Sequence, residues 1–336
     1  MSLFKGKYVL VAGGTGMVGR QLVEILIDRG AHLWVASMDD KSRAHPEITA
    51  FFKTDLRIYS NCRRVCLGMD MVFNLLGVKG SPAVTDKYPE KFFYHTVMLN
   101  AQLMHAAAEC GIKEYLYTST NGVYAPASIM REDEMWQNPP SPHDKFAGWA
   151  KRMGELQAEA CLIEYGMRTT IVRPSNIYGP YDNFDGENAM VVPSLIKKAV
   201  IAAETGQPMK PWGDGSPKRD FIHARDVARA MLLAVEKAPG QVLNVSSGIG
   251  TSIRELVEII KKQFNRDRVL PRKSIEVIWN TSGPSGDNTR ILDNTLLRSI
   301  GYQPSISLEE GIYETTAWYI VNRQDAQNRF DVFDKK

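Results

Sequence analysis

No segment of this 336-residue chain approaches the ~18 consecutive apolar residues of a membrane-spanning helix, so no contact with a membrane is expected. Residues 1–7 lack the apolar core of a secretory signal. Cysteine is scarce: Cys62, Cys66, Cys110 and Cys161 are the full set, and they fit reduced thiols in a cytoplasmic protein. Cys62 and Cys66 share a helical face, yet no Cys or His lies near them in sequence, so packing rather than a metal is expected. Excess charge is missing too. With 41 Lys and Arg against 38 Asp and Glu, the formal net charge is +3, which gives no electrostatic reason to expect nucleic acid as a partner. Internal repeats and low-complexity tracts are also lacking.

What the chain does have begins at its N-terminus. The apolar run Tyr8–Ala12 reads as a short buried strand. It leads into Gly13, Gly14, Thr15, Gly16, Met17, Val18 and Gly19, followed by a helical pattern over residues 20–28. Glycines at 13, 16 and 19 let the turn close, let backbone amides approach a pyrophosphate and let helix pack on strand, while the helix N-terminus favours the anion. A dinucleotide site is expected there.

Strand-like text at residues 35–36, 71–76 and 115–118 alternates with helical stretches such as 101–110. That alternation predicts an α/β fold, a doubly wound Rossmann-type parallel sheet with helices on both faces and ligands at the strands' carboxyl ends. After a strand at 169–173 the text is loop-rich from 174 to 188, then gives helices at 191–203, 253–264 and 308–321. The expected division is a dinucleotide-binding domain over 1–180 with a returning segment near 215–240. Residues 181–214 and 241–325 would form a smaller C-terminal substrate-binding lobe, and the polar stretch 326–336 a loosely held tail.

Six ordered motifs carry a resemblance over the chain to about residue 320: the glycine turn, TDLR (54–57), TSTNGVYA (118–125), GWAK (148–151), RPSNIYGP (173–180) and RDFIHARDVA (219–228). Together they resemble the extended short-chain dehydrogenase/reductase family of nucleotide-sugar epimerases, dehydratases and reductases. YGPYDNF and WGDGSPKRDF are most similar to its GDP-sugar branch, which includes GDP-L-fucose synthase. The resemblance implies an enzyme, with Thr120 as the catalytic hydroxyl that holds a sugar oxygen. It implies that Lys151 binds the nicotinamide ribose and lowers the pKa of a tyrosine four residues earlier. Ala147 occupies that tyrosine's position.

Two explanations of Ala147 stand. Its intact flanks favour a deliberate substitution that removes the acid/base without steric conflict; the other is natural loss or relocation of the base. Slow turnover with retained binding is the expectation. The alternative, open if Ala147 is natural, is a non-catalytic sensor of a nucleotide sugar or of the nicotinamide redox state.

The resemblance also narrows the reaction. Family 4,6-dehydratases follow the catalytic Thr with Asp-Glu, where this chain has Asn121 and Gly122. The cysteine and histidine of the 3,5-epimerising members correspond to Gly122 and Tyr181. Redox at one carbon remains, with carbon 4 favoured: a dehydrogenase, a ketoreductase or a 4-epimerase.

For the cofactor, counting about 18 residues past the last glycine to the ribose-binding acid lands on Ser37, with Asp39 two positions later. MDDKSR (38–43) resembles the family's strand ending LDDLSR, which a slightly longer strand would place correctly. An acid there repels a 2′-phosphate, so NAD is favoured, with NADP possible through Arg43. By the same resemblance Asp55 and Leu56 face the adenine, and Leu75 and Pro174 complete the cofactor set.

Substrate residues follow by motif. The resemblance implies that Asn176 lies near the sugar diphosphate, that Arg219 and Arg290 clamp it, since guanidinium forks suit phosphate oxygens, and that Val192, Pro193 and Trp212 line the base pocket, with core packing an even alternative for Val192 and Pro193. His223 is expected to be structural. A homodimer is implied as well, through apolar stripes at Leu99, Leu103, Met104 and Ala107 and at Leu156, Ala160 and Ile163, though these stripes could equally cover the sheet.

Overall fold

The computed structural model describes all residues except 1, 79, 81, 186–188, 265–273, 283–286, 328–329, 331 and 333–336; most of the expected tail lies outside the described residues. Seven parallel strands form the main sheet: β1 (Tyr8–Ala12), β2 (His32–Ser37), β3 (Ala50–Lys53), β4 (Met71–Asn74), β5 (Glu114–Thr118), β6 (Arg168–Pro174) and β9 (Val242–Val245). Their order is β3-β2-β1-β4-β5-β6-β9. The order reverses between β1 and β4, which opens a crevice at the carboxyl ends of the strands there.

β1 explains why such strands read as unbroken apolar runs. Val9 and Val11 enter one hydrophobic cluster with Leu22, Leu26, Val227 and Met231. Leu10 and Ala12 point the other way, into a cluster with Leu103, Met104, Ala107 and Ala158. A strand buried on both faces has no polar side to show. The first cluster lies under α1 (Met17–Asp28) and the later α7 (Ala224–Lys237). The second lies under α2 (Tyr59–Cys66), α4 (Pro89–Glu109, preceded by the short α3, Pro82–Lys87) and α5 (Lys145–Tyr165). Cys62 and Cys66 are buried in that second cluster, and burial pushes the Cys62 thiol up to about 12.

A third cluster sits in the C-terminal half, between α6 (Val191–Thr205), α8 (Ile253–Gln263) and α10 (Leu308–Val321). Serine capping boxes, Ser252 with Glu255 and Ser307 with Glu310, set the starts of α8 and α10. Beside them, β8 (Lys218–His223) pairs in parallel with β7 (Asn176–Tyr178) and β11 (Thr289–Arg290), and antiparallel with β10 (Gly250–Ser252). Two short helices, α9 (Thr295–Ser299) and α11 (Arg323–Gln327), complete the described α-helices.

The chain therefore serves the main sheet through Val245, past the end near residue 240 expected from sequence, while β8 within the returning segment belongs to the smaller sheet. The reason is Asn244: buried in the middle of β9, it takes the Tyr124 hydroxyl at 2.7 Å and donates to Met130 O at 3.1 Å. A polar residue so satisfied hides the strand's apolar pattern. The α4 stripe also resolves, because Leu103, Met104 and Ala107 are buried against the sheet. On α5, by contrast, Phe146, Trp149, Met153, Leu156 and Ile163 are exposed, Ile163 at 80%.

Candidate active site

A cleft of about 660 Å3 runs along the carboxyl ends of β1, β4, β5 and β6. The glycine turn forms one end. Gly13 holds φ +86°, and a Cβ on Gly19 would lie 2.2 Å from Gly13 O, so the helix can approach the turn only without a side chain there. Gly13, Thr15, Gly16, Met17, Val18 and Gly19 all line the cleft. This cradle fits the pyrophosphate of a dinucleotide.

Beside the glycine turn, β2 ends at Ser37 rather than running on. Asp39 folds back instead and accepts the Thr15 hydroxyl at 2.8 Å; that hydroxyl also lies 2.7 Å from Ser37 Oγ. Arg43 Nε stands 3.7 Å from Asp39, so the acid and the arginine weighed for cofactor choice are partners. Phe330 donates its amide to Asp39 Oδ1 at 2.8 Å, and Phe330 and Val332 line the cleft. This contact had no signal in the sequence. Asp55, Leu56, Leu75 and Pro174 line the cleft as well. Hydrogen bonds from the guanidinium and the amide of Arg57 hold the Asp55 carboxyl below its usual range.

Further along, β5 ends in the turn that carries Thr120, whose Oγ1 accepts the Gly122 amide at 3.2 Å. Thr120, Ala147 and Lys151 all line the same cleft. Lys151 Nζ donates to Thr118 O at 2.7 Å and to Leu76 O at 3.0 Å. Burial lowers its pKa to about 7, since a desolvated ammonium loses its hydration without gaining a paired anion. Ala147 contributes only a methyl to the cleft.

The substrate-side residues divide. Asn176 lines the cleft and donates to Asp220 O at 3.1 Å; Val192 lines it from α6, while Pro193 is buried. Arg290 lines it too, held by Asp144 and by Asp287 Oδ2 at 2.7 Å. Arg219 lies outside the lining set; it donates to Lys218 O, and burial together with the Arg290 charge lowers its pKa to about 10. Trp212 is also outside, half-exposed with Lys198 over its ring at 4.9 Å. Tyr181 adopts φ +65° and packs its ring against Trp318 at a tilt, 4.9 Å between centroids and 52° between planes. His223 is buried at the start of α7, where it accepts the Arg225 amide, and burial pushes it down to about 4. Asp144 and Asp185 enter the cleft without having been singled out in the sequence; the position of Asp144, three residues before Ala147, is the signal that could have found it.

A reversed parallel sheet, a glycine turn and a Thr–Lys pair in one cleft define a nicotinamide-dependent oxidoreductase site. Residues 9–246 match the model of the NAD dependent epimerase/dehydratase family. The chain is 29% identical to GDP-L-fucose synthase of Escherichia coli (strain K12), covering 96% of this chain and 98% of that one. It is 29% identical to a probable GDP-L-fucose synthase 1 of Oryza sativa subsp. japonica, covering 95% and 93%. Among solved structures it is similar to a UDP-glucose 4-epimerase from Thermotoga maritima with UDP-glucose, at 26% identity and TM-score 0.81, covering 94% and 99%. The chain belongs to the NAD dependent epimerase/dehydratase family, whose members are NAD(P)-dependent oxidoreductases and epimerases of nucleotide-activated sugars. Among its described residues, no helix is long and apolar enough to cross a membrane.

Proposed function

We propose that this protein is cytoplasmic, that it acts on a GDP-sugar with hydride transfer at sugar carbon 4, and that Ala147 slows it by removing the acid/base. The observation that carries the reading is the shared cleft of Thr120, Ala147 and Lys151 beside the glycine turn. A bound nicotinamide would supply the hydride acceptor or donor. Thr120 would hold the sugar oxygen, and Lys151 the ribose. NAD is favoured over NADP because the Asp39 carboxylate, held by Thr15 and Arg43, repels a 2′-phosphate. Asn176, Val192 and Arg290 line the substrate side of the cleft, and Arg219 and Trp212 would join them if the lobe closes over a nucleotide.

The exposed side chains of α5, spaced at 146, 149, 153, 156 and 163, form an apolar seam with helix-pair periodicity. It supports a homodimer, which sedimentation analysis tests directly. For the reaction, the test is a screen of GDP-, UDP- and dTDP-sugars against Ala147→Tyr, with products followed by NMR. Oxidation or inversion at carbon 4 of a GDP-sugar supports the reading. Binding without turnover in both forms would instead support a sensor.

A further inference from the structure

The cleft holds one acidic group on the segment of Ala147 and Lys151, and its ion-pair partner is Arg290. Among the described lining residues four are carboxylates: Asp39 and Asp55 at the adenosine end, Asp185 tied to Lys197, and Asp144. Only Asp144 belongs to the segment that carries Ala147 and Lys151; it is the residue immediately before α5.

Glycine at 122 makes room for it. A Cβ on residue 122 would lie 3.2 Å from Asp144 Cγ and 3.4 Å from its Oδ2, so the carboxylate uses space that a side chain there would need. Gly122 also donates its amide to Thr120 Oγ1. The carboxylate and the hydroxyl assigned to the sugar oxygen thus both lie against residue 122.

Asp144 is engaged with Arg290, and the engagement is one-sided. The Nε–Nη2 edge of Arg290 meets Asp287 Oδ2 at 2.9 and 2.7 Å, while its Nη1 pairs with Asp144 Oδ2. A substrate diphosphate can therefore take Nη1 and leave the Asp287 edge intact.

We propose that Asp144 is the acid/base of this chain's own slow reaction, released for the sugar when the substrate's diphosphate takes Nη1 of Arg290. It rests on the nucleotide-sugar redox reading above. In the oxidative direction the sugar hydroxyl gives its proton to the Asp144 carboxylate, the carbon–hydrogen bond leaves as hydride to oxidised nicotinamide, and the carbon–oxygen single bond becomes a carbonyl. Reduction reverses each transfer. Carboxylates are intrinsically weaker bases than phenolates, which accounts for a slow reaction rather than none.

The experiment compares the unaltered chain, Asp144→Asn, Ala147→Tyr and the double variant. Turnover is measured with the sugar nucleotide best used by Ala147→Tyr, and GDP affinity is measured by calorimetry without dinucleotide. Asp144→Asn is expected to lower the residual kcat by about 10²-fold with no rise in KM, and to bind GDP several-fold more tightly because Nη1 is free. The double variant is expected to keep the Ala147→Tyr rate, which a merely structural Asp144 would not allow. Equal residual turnover in Asp144→Asn, a double variant as slow as Asp144→Asn, or unchanged GDP affinity overturns the proposal alone. Absence of turnover in Ala147→Tyr with every sugar nucleotide overturns the redox reading, and the proposal with it.

Discussion

Glu155 and Arg173 meet in the protein interior with Oε2 and Nη2 2.6 Å apart and side chains 4% and 3% exposed. The pair ties α5 to β6 one helical turn beyond Lys151, and Arg173 extends it to the Tyr124 hydroxyl at 2.7 Å. It fixes the helix that delivers Lys151 to the cleft. Removing one partner strands a buried charge. Glu155→Ala is expected to cost about 3–5 kcal/mol, read as a lower urea midpoint with unchanged m-value.

The glycine turn tolerates no methyl at its third glycine. Gly19→Ala places a Cβ on Gly13 O, so α1 must move off the turn. Dinucleotide binding, followed by nicotinamide fluorescence, is expected to fall by at least about 10²-fold, in proportion to the loss of a preorganised anion site. Binding within a few-fold of the unaltered chain would contradict the assignment of this end of the cleft.

Lys151 gives the protein a pH signature. Its folded pKa of about 7 lies below the ordinary lysine value of 10.5, so between these values the unfolded chain holds a proton that the folded one has released. Stability rises with pH wherever the unfolded state binds more protons. The penalty for burying the ammonium is thus full below about pH 7 and fades as pH climbs toward 10. Relative to Lys151→Met, the unaltered chain is expected to gain stability over that window, and denaturant melts of both at pH 6, 8 and 10 check the sign.

Asp39 is expected to set cofactor preference. Asp39→Ser removes the acid and leaves Arg43 unpaired from it, which should shift the NADP/NAD affinity ratio toward NADP by about tenfold or more, the size of one lost charge contact. The same change removes the acceptor of the Phe330 amide. A ratio that stays fixed would place the ribose elsewhere.

Much of this architecture was legible because local and global signals agree. β1, its turn and α1 could be read directly, since glycine at 13 and 19 answers a steric need and the strand is buried on both faces. β9 was hidden by a buried, fully bonded Asn244. The stripe on α4 was ambiguous because periodicity says that a face is apolar, not which surface covers it; the sheet covers this one. The residue count points at Ser37, and the expected longer strand is absent: the turn after β2 returns Asp39 to Thr15. Asp144 went unread because acids before helices usually serve as caps, and only the space over Gly122 shows its carboxylate turned into the cleft.

The most direct test of the central claim is the single-turnover rate of nicotinamide reduction by the unaltered chain and by Ala147→Tyr, at saturating dinucleotide and GDP-sugar. A rise of about 10²–10⁴-fold, the usual span of general acid–base catalysis, with dinucleotide affinity unchanged, is the predicted result. Equal rates in the two proteins would contradict the account that residue 147 is the missing acid/base of a carbon-4 redox site.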